Sequence, residues 1–380
     1  MSNAVRLGIV GLGNMGSDHV RSIPHLKRVE LTAVCDIVPE KLDRYDAKGF
    51  TDSAEMIRSG LVDAVLIATP HYFHTTIGID ALDNGLHVLT EKPISVHKAD
   101  CQRLIAAHER NPGQVFAAMF NQRTDPHYQQ LRKLVQRGEL GEIQRVNWII
   151  TDWFRSAAYY ASGGWRATWR GEGGGVLLNQ CPHNLDLLQW LVGMPSKVRA
   201  FCSFGKYHDI EVEDEVTAYL EYPNGATGVF VTTTGEAPGT NRLEIAGDRG
   251  RVVLERGQIS FSRTTQSVAE FRETTRESFA APEKWECAIP ANGYGGQHRE
   301  VLQNFVDVIL DGGTVVAPAE EGIHSVELAN AMLLSTFLDS SVEVPLDAQL
   351  YEAQLMKRIE SSRFEKKVVE AVVDMSKSWS

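Results

Sequence analysis

The sequence predicts an α/β chain in two parts. Residues 1–124 form a doubly wound parallel sheet, and residues 125–380 form an α/β part on a largely antiparallel open sheet. Three observations lead there. Up to Phe120, short apolar runs alternate with helical patterns, as parallel sheets do. From Glu142 onward, apolar runs follow one another across turn signals such as Pro223-Asn224-Gly225, the pattern of an antiparallel sheet. The length of 380 residues exceeds what one ordinary core organises.

The first strand, Val5–Val10, runs directly into Gly11-Leu12-Gly13-Asn14-Met15-Gly16 and a helical pattern ending near Leu26. Between a strand and a helix, G-x-G-x-x-G is a phosphate-cradling turn of the Rossmann kind. Gly11 permits the tight turn, Gly13 lets the backbone approach a pyrophosphate, and Gly16 allows close helix packing. Asn14 and Met15 open the helix, whose N-terminus carries partial positive charge toward the phosphates. The next strand, 31–35, ends at Asp36, placed to accept hydrogen bonds from the adenosine ribose hydroxyls. A carboxylate there repels a 2′-phosphate, and Ile37-Val38-Pro39 brings no arginine. The expected cofactor is NAD rather than NADP.

Strands over 63–69, 86–90 and 115–120 alternate with helices over 75–84 and 96–109. Ligands of such sheets sit at the carboxyl ends of the strands. Three polar clusters fall there: Thr69-Pro70-His71 with His74, Glu91-Lys92-Pro93, and Asn121-Gln122-Arg123. Thr69, Pro70, His71, His74, Glu91, Lys92, Pro93, Asn121 and Arg123 are therefore candidate cofactor residues. Lys92 and Arg123 also stand where a substrate would meet the cofactor.

A helix over 126–137 leads into the second part, with strands over 142–151, 197–204, 212–221, 226–234, 242–246 and 251–254. Residues 262–284 are polar and read as loop or edge. Helices follow over 297–310 and 320–338, and a charged one over 351–370, with segment 345–380 expected to pack back on the N-terminal part. Between Trp153 and Trp190 lie four of the chain's seven tryptophans, beside Arg155, Tyr159, Tyr160, Trp165 and Arg166. Any one tryptophan is by default a packing residue. Together with arginines they suit a sugar, whose apolar face meets a ring while guanidinium groups bond hydroxyls. Asn179, His183 and Asp186 share one face if the segment is helical throughout, a condition that Pro182 complicates.

The formal net charge of -11 excludes a protein devoted to gripping nucleic-acid backbones. Five scattered cysteines, none in C-x-x-C spacing, predict neither a disulfide framework nor a zinc site, and no metal is expected. The apolar strand pattern starts at Val5 in place of a leader, and no run is long enough to span a bilayer, so a cytoplasmic chain is expected.

The G-x-G-x-x-G turn, Thr69-Pro70 with His74, and Glu91-Lys92-Pro93 resemble the glucose–fructose oxidoreductase/inositol dehydrogenase/rhizopine catabolism (Gfo/Idh/MocA) family. Gly173-Gly174-Gly175 followed by Asn179, His183 and Asp186 extends the resemblance, as do His298, Phe305, Gly322 and Glu327 near the end. The resemblance implies a nicotinamide-dependent enzyme for sugars, polyols or similar rings. It also implies a homodimer or homotetramer through the C-terminal sheet. Lys92 matches the family's active-site lysine, and Pro93 a proline that is often cis. Four positions before the histidine the family commonly has Asp, though members with Asn exist; here it is Asn179. An amide cannot carry a proton in a relay or offset the charge of Lys92.

For alcohol oxidation, His183 suits the base and Lys92 the group polarising the hydroxyl, or the reverse, with Asp186 orienting His183 or binding another hydroxyl. Candidate substrate residues are Lys92, Arg123, Trp153, Arg155, Tyr160, Trp165, Arg166, Asn179, His183 and Asp186. Two alternatives stand beside a dehydrogenase: a glycosidase that oxidises its substrate transiently, and a non-catalytic sensor of dinucleotide and sugar.

Overall fold

The computed structural model describes residues 4–291 and 293–368. Its first sheet is assembled from β1 (Val5–Val10), α1 (Asn14–Ser22), β2 (Val29–Cys35), β3 (Lys48–Phe50), α2 (Ser53–Arg58), β4 (Ala64–Ile67), α3 (Tyr72–Asp83), β5 (His87–Thr90), α4 (Lys98–Arg110) and β6 (Phe116–Ala118). Every pairing is parallel, in the order β3-β2-β1-β4-β5-β6. Strand order reverses between β1 and β4, which opens a crevice at their carboxyl ends. All four residues of β4 are buried, as a strand covered on both faces requires. Leu7, Ile9 and Leu66 enter one core while Val10, Val65 and Ile67 enter the other, following the period of two.

The second part comprises α5 (Pro126–Gln136), β7 (Ile143–Ile150), α6 (Ala157–Ala161), α7 (Val176–Asn179), α8 (Pro182–Val192), β8 (Lys197–Phe204), β9 (Glu213–Glu221), β10 (Thr227–Thr233), β11 (Asn241–Gly247), β12 (Gly250–Glu255), β13 (Gln258–Thr264), α9 (Val268–Thr274), β14 (Lys284–Ile289), α10 (Gln297–Asp311), α11 (Gly322–Leu338), β15 (Val342–Glu343) and α12 (Ala348–Ser361). Its nine strands run β14-β13-β12-β11-β7-β10-β9-β8-β15. Only β7 and β10 pair in parallel among them. On one face Trp148, Val216, Leu220 and Phe230 pack with Leu185 and Leu188 of α8 and with Leu328 and Met332 of α11. Among the described residues the other face leaves apolar side chains uncovered: Phe201 is 60% exposed and Tyr219 43%, with Ile149 and Val229 on the same face.

Three expectations need correcting. Residues 262–284 are not simply loop, because β13, α9 and β14 occupy much of the region. Their polarity reflects the position of β14 at the sheet edge, where it is mostly exposed. Arg256 and Gly257, both at positive φ, close the β12–β13 hairpin. The charged helix starts earlier and stops earlier than 351–370: Asp347 caps α12, which ends at Ser361. Residues 369 and 370, like the rest of the expected segment to 380, lie outside the described residues. The segment around Asn179 is not one helix, since α7 ends before Pro182 begins α8.

The chain also returns to its first sheet late. Val301, Leu302, Phe305 and Val306 of α10 fill the core on the Leu7–Ile9 face. Lys98 at the start of α4 donates from Nζ to Glu327 of α11 (2.6 Å) and to the Leu346 carbonyl (2.8 Å). We propose the division between the two parts near Thr124, with α10 as a late contribution to the first.

Candidate active site

The dinucleotide cradle is shaped by what glycine lacks. Gly11 sits at φ +91°, and a Cβ there would meet the Ala68 carbonyl oxygen at 2.6 Å. A Cβ on Gly16 would stand 1.8 Å from the Gly11 oxygen, so α1 packs against the turn only because the residue is glycine. Gly13 faces open space and caps α1 with no side-chain hydrogen bond. Asn14 and Met15 carry the first N–H groups of α1, which the helix itself leaves without partners.

Asp36 is buried at the end of β2, where Oδ2 accepts from the Leu12 N–H (2.7 Å) and Oδ1 from the Val38 N–H (3.0 Å). Lys41 also reaches it, with Nζ 3.0 Å from Oδ2. That cation stands two residues beyond Ile37-Val38-Pro39.

The strand-end clusters divide in role. Among the described residues, Thr69 Oγ1 is buried without a partner, next to Pro70. His71 turns toward the second part, its Nδ1 3.3 Å from the Glu172 carbonyl and its ring edge-on to Trp165. His74 spans the Thr69 and Pro93 carbonyls, each 2.8 Å from a ring nitrogen. Both its nitrogens face carbonyls, so it joins two turns. The Lys92–Pro93 bond is cis. Glu91 is likewise turned inward, pairing with His19 of α1 (2.7 Å) and accepting from the Lys92 N–H (3.2 Å). Burial works to raise its carboxyl, but the His19 hydrogen bond and the charges of His19, His298 and Lys92 prevail and hold it at about 2. Asn121 donates from Nδ2 to Gln297 Oε1 (2.6 Å), tying the first sheet's edge to α10.

Arg123 and Asp186 were each expected to touch ligand; they touch each other. Nε and Nη2 of Arg123 donate to the two Asp186 oxygens at 2.7 and 2.6 Å, and Nη1 donates to Glu321 (2.6 Å). Both partners of the bidentate pair are buried, so neither retains a free polar edge. Asp186 consequently does not orient His183.

His183 is buried with both ring nitrogens unpartnered among the described residues, its ring edge-on to Phe120. Burial, then the charges of Lys92 and His298, depress it well below the ordinary histidine value, which keeps the imidazole neutral. Lys92 Nζ donates to the Asn179 carbonyl (2.8 Å). Burial lowers the lysine; Glu91 and Glu172 oppose this, and Arg166 and Arg155 assist it.

The aromatic and arginine cluster is real but shifted by one tyrosine. Tyr160 is buried, bonded to Thr234 (2.8 Å) and packed on His208, so it belongs to the core. Tyr159, next to it on α6, lies between Arg155 (5.3 Å) and Arg166 (4.6 Å), and its hydroxyl accepts from Arg166 Nη1 (2.7 Å). Trp165 stacks with Arg166, and Trp153 with Arg155. Two residues nearby escaped the sequence reading. Glu172, just before the three glycines, holds Asn179 Nδ2. Lys366, in the tail after α12, donates to the Arg166 carbonyl (2.6 Å). Adjacency to Gly173-Gly174-Gly175 was the only local signal for Glu172, and Lys366 had none.

No group of three or more histidine, cysteine, aspartate or glutamate side chains suited to a metal occurs among the described residues. No described helix is long and apolar enough to cross a membrane.

Two family models match the chain. One, described as the NAD-binding Rossmann fold of an oxidoreductase family, GFO/IDH/MocA, covers residues 5–119; the GFO/IDH/MocA C-terminal domain covers 128–253. Inositol 2-dehydrogenase of Salmonella typhimurium is 37% identical over 150 residues, 38% of this chain and 45% of that protein. The chain thus spans less than half the length of that relative. Levoglucosan dehydrogenase of Pseudarthrobacter phenanthrenivorans is 25% identical over 391 residues, 90% of this chain and 98% of that protein. Among solved structures, the WlbA dehydrogenase of Chromobacterium violaceum in complex with NADH and UDP-GlcNAcA superposes with a TM-score of 0.78 at 29% identity. That likeness covers 91% of this chain and 97% of the other. Matched in both its parts by models of one family, the chain belongs to the Gfo/Idh/MocA oxidoreductases.

Proposed function

We propose that the protein is an NAD-dependent oxidoreductase moving hydride between nicotinamide and a secondary hydroxyl of a sugar, glycoside or cyclic polyol. The observation that carries this reading is His183. A neutral imidazole, buried with both nitrogens unpartnered among the described residues, stands within reach of the charge of Lys92 and against Phe120. A buried polar group without a partner is costly, and a substrate hydroxyl is the partner that repairs it. NAD, when bound, supplies the hydride acceptor. His183 takes the hydroxyl proton, and Lys92 donates to the oxygen as negative charge develops on it. Arg155, Arg166 and the faces of Trp153, Tyr159 and Trp165 hold the ring. Relatives named for inositol, levoglucosan and a UDP-linked uronate agree on hydroxylated rings and differ on which one.

Absorbance of reduced nicotinamide tests the reading, with inositols, hexoses, glucosides, levoglucosan and UDP-sugars offered in turn with NAD and NADP. NADH formation on one of them is expected. A flat trace throughout, with NAD binding intact, overturns it in favour of a transient-oxidation glycosidase or a sensor, which product analysis separates.

Cofactor choice gives a sharper expectation. Asp36→Ala removes the carboxylate proposed to meet the ribose and releases Lys41 from its ion pair. A freed cation can meet a 2′-phosphate, and one charge-assisted contact is worth about tenfold in affinity. The ratio of kcat/KM for NADP over NAD rises by at least about tenfold in D36A; an unchanged ratio removes Asp36 from cofactor selection.

We also propose that the uncovered face of the second sheet joins copies of the chain. Phe201, Tyr219, Val229 and Ile149 form an apolar patch of the kind that marks an interface. In light scattering, wild type is expected as a dimer or tetramer and Phe201→Arg/Tyr219→Arg as a monomer. A variant that assembles like wild type places the interface elsewhere.

A further inference from the structure

Position 179 bears an amide where a carboxylate would offset Lys92, and the fold brings a carboxylate to that amide from another segment. Glu172 is 1% exposed. One of its oxygens accepts from Asn179 Nδ2 and the other from the Ala167 N–H (2.6 Å). Lys92 Nζ in turn donates to the main-chain carbonyl of Asn179, not to its amide, at 2.8 Å. Glutamate, asparagine and lysine form one contiguous set. We propose that Glu172 is the positioning carboxylate of this active site: it supplies the negative charge that position 179 lacks and fixes how the Asn179 amide is presented.

The orientation follows from chemistry. A carboxylate only accepts hydrogen bonds, so Asn179 turns Nδ2 toward Glu172 and Oδ1 away from it. Oδ1 lies 3.4 Å from the Tyr159 hydroxyl, on the side of the aromatic cluster. A substrate hydroxyl meeting Asn179 therefore meets an acceptor.

The charge balance points the same way. A buried carboxylate is costly unless cations compensate it. Among the described residues no lysine or arginine forms an ion pair with Glu172, yet Arg166 and Lys366 act on it through space, and it acts on Lys92. Burial raises the glutamate, and the cations pull it back. Glu213 is the other carboxylate nearby. Around Lys92, Glu91 adds to the negative side, while Arg155, Arg166, the histidines His71, His74, His183 and His298, and Cys181 also face it. Glu91 acts on Lys92 more strongly but is also held by His19, and Glu172 is the second carboxylate acting on the lysine.

The inference rests on the oxidoreductase reading, but its first test needs no substrate. Full-length protein is labelled with trace acetic anhydride across a pH series, and acetylation of Lys92 is followed by mass spectrometry. In Glu172→Gln the Lys92 titration falls by about one pH unit, because a nearby opposite charge has been removed. With a substrate from the panel, kcat falls by about 10- to 100-fold at little change in KM, and the limb of the pH–rate profile set by Lys92 moves to lower pH. Asn179→Asp placed in the E172Q background returns a carboxylate to the pair and restores both titration and rate toward wild type. This double variant also serves if E172Q does not fold: its Lys92 titration stays near that of wild type. An unmoved Lys92 in folded E172Q, or a double variant no better than E172Q, overturns the assignment. The labelling result stands whether or not any substrate is turned over, so the two readings fail separately.

Discussion

Lys92→Ala lowers kcat for alcohol oxidation by about 10³-fold and leaves NAD affinity within about threefold of wild type. The size follows from where the ammonium sits. It is largely withdrawn from water, and its donor atom is held at 2.8 Å by the Asn179 carbonyl, beside the unpartnered imidazole of His183. A donor aimed at developing negative charge in a poorly hydrated site is worth far more than the same donor in water. The interaction strengthens only as the proton leaves the hydroxyl, so the loss falls on kcat more than on KM. Arginine does not restore it, because its planar fork cannot take the place of a compact ammonium. Steady-state rates and a separate NAD titration on the folded variant decide the matter. Unchanged turnover removes Lys92 from the chemistry.

The second large effect is on stability. Arg123→Met leaves Asp186 buried without its ion-pair partner; Arg132 acts on it only through space, and the Gln189 amide remains, at 3.2 Å. Breaking one side of a buried ion pair costs about 3–5 kcal/mol. Arg123→Met/Asp186→Leu, which removes both charges, recovers most of that loss, because an apolar pair of similar volume is often neutral or better. Urea unfolding of wild type and the two variants reads this directly. If R123M loses less than about 1 kcal/mol, as typical of surface pairs, while substrate KM rises, the guanidinium contacts ligand as the sequence alone implied. Glu321 is the lesser partner, since it lies partly in water where screening weakens it.

Much of this fold was legible residue by residue. The strand at 197–204 was read with the boundaries that β8 has, and the first sheet emerged in the expected alternation of strand and helix. Hydrophobic period is a local property and survives without knowledge of partners. The edge strand β14 was missed for the matching reason: it is largely exposed and carries little period to read. In the site, Gly11 and Gly16 were legible by type and spacing, while Lys92 and His183 were singled out by the resemblance of their motifs to the family. Tyr159 and Tyr160 did not separate, because one step along a helix turns a side chain by about 100° and decides core from cavity.

By itself, then, the sequence determined the dinucleotide cradle, the class of each sheet and the two groups proposed for the chemistry. Each depends on residues close together along the chain. The tertiary structure alone decided that Arg123 spends its charge on Asp186, that His74 and Glu91 brace turns, and that Glu172 and Lys366 reach the Asn179 and Arg166 segments. It also decided that α10 returns to cover the first sheet. A charged side chain is indifferent, in sequence, among every partner it could meet. Burial removes water as the default partner, and the one group within reach then fixes what the charge does.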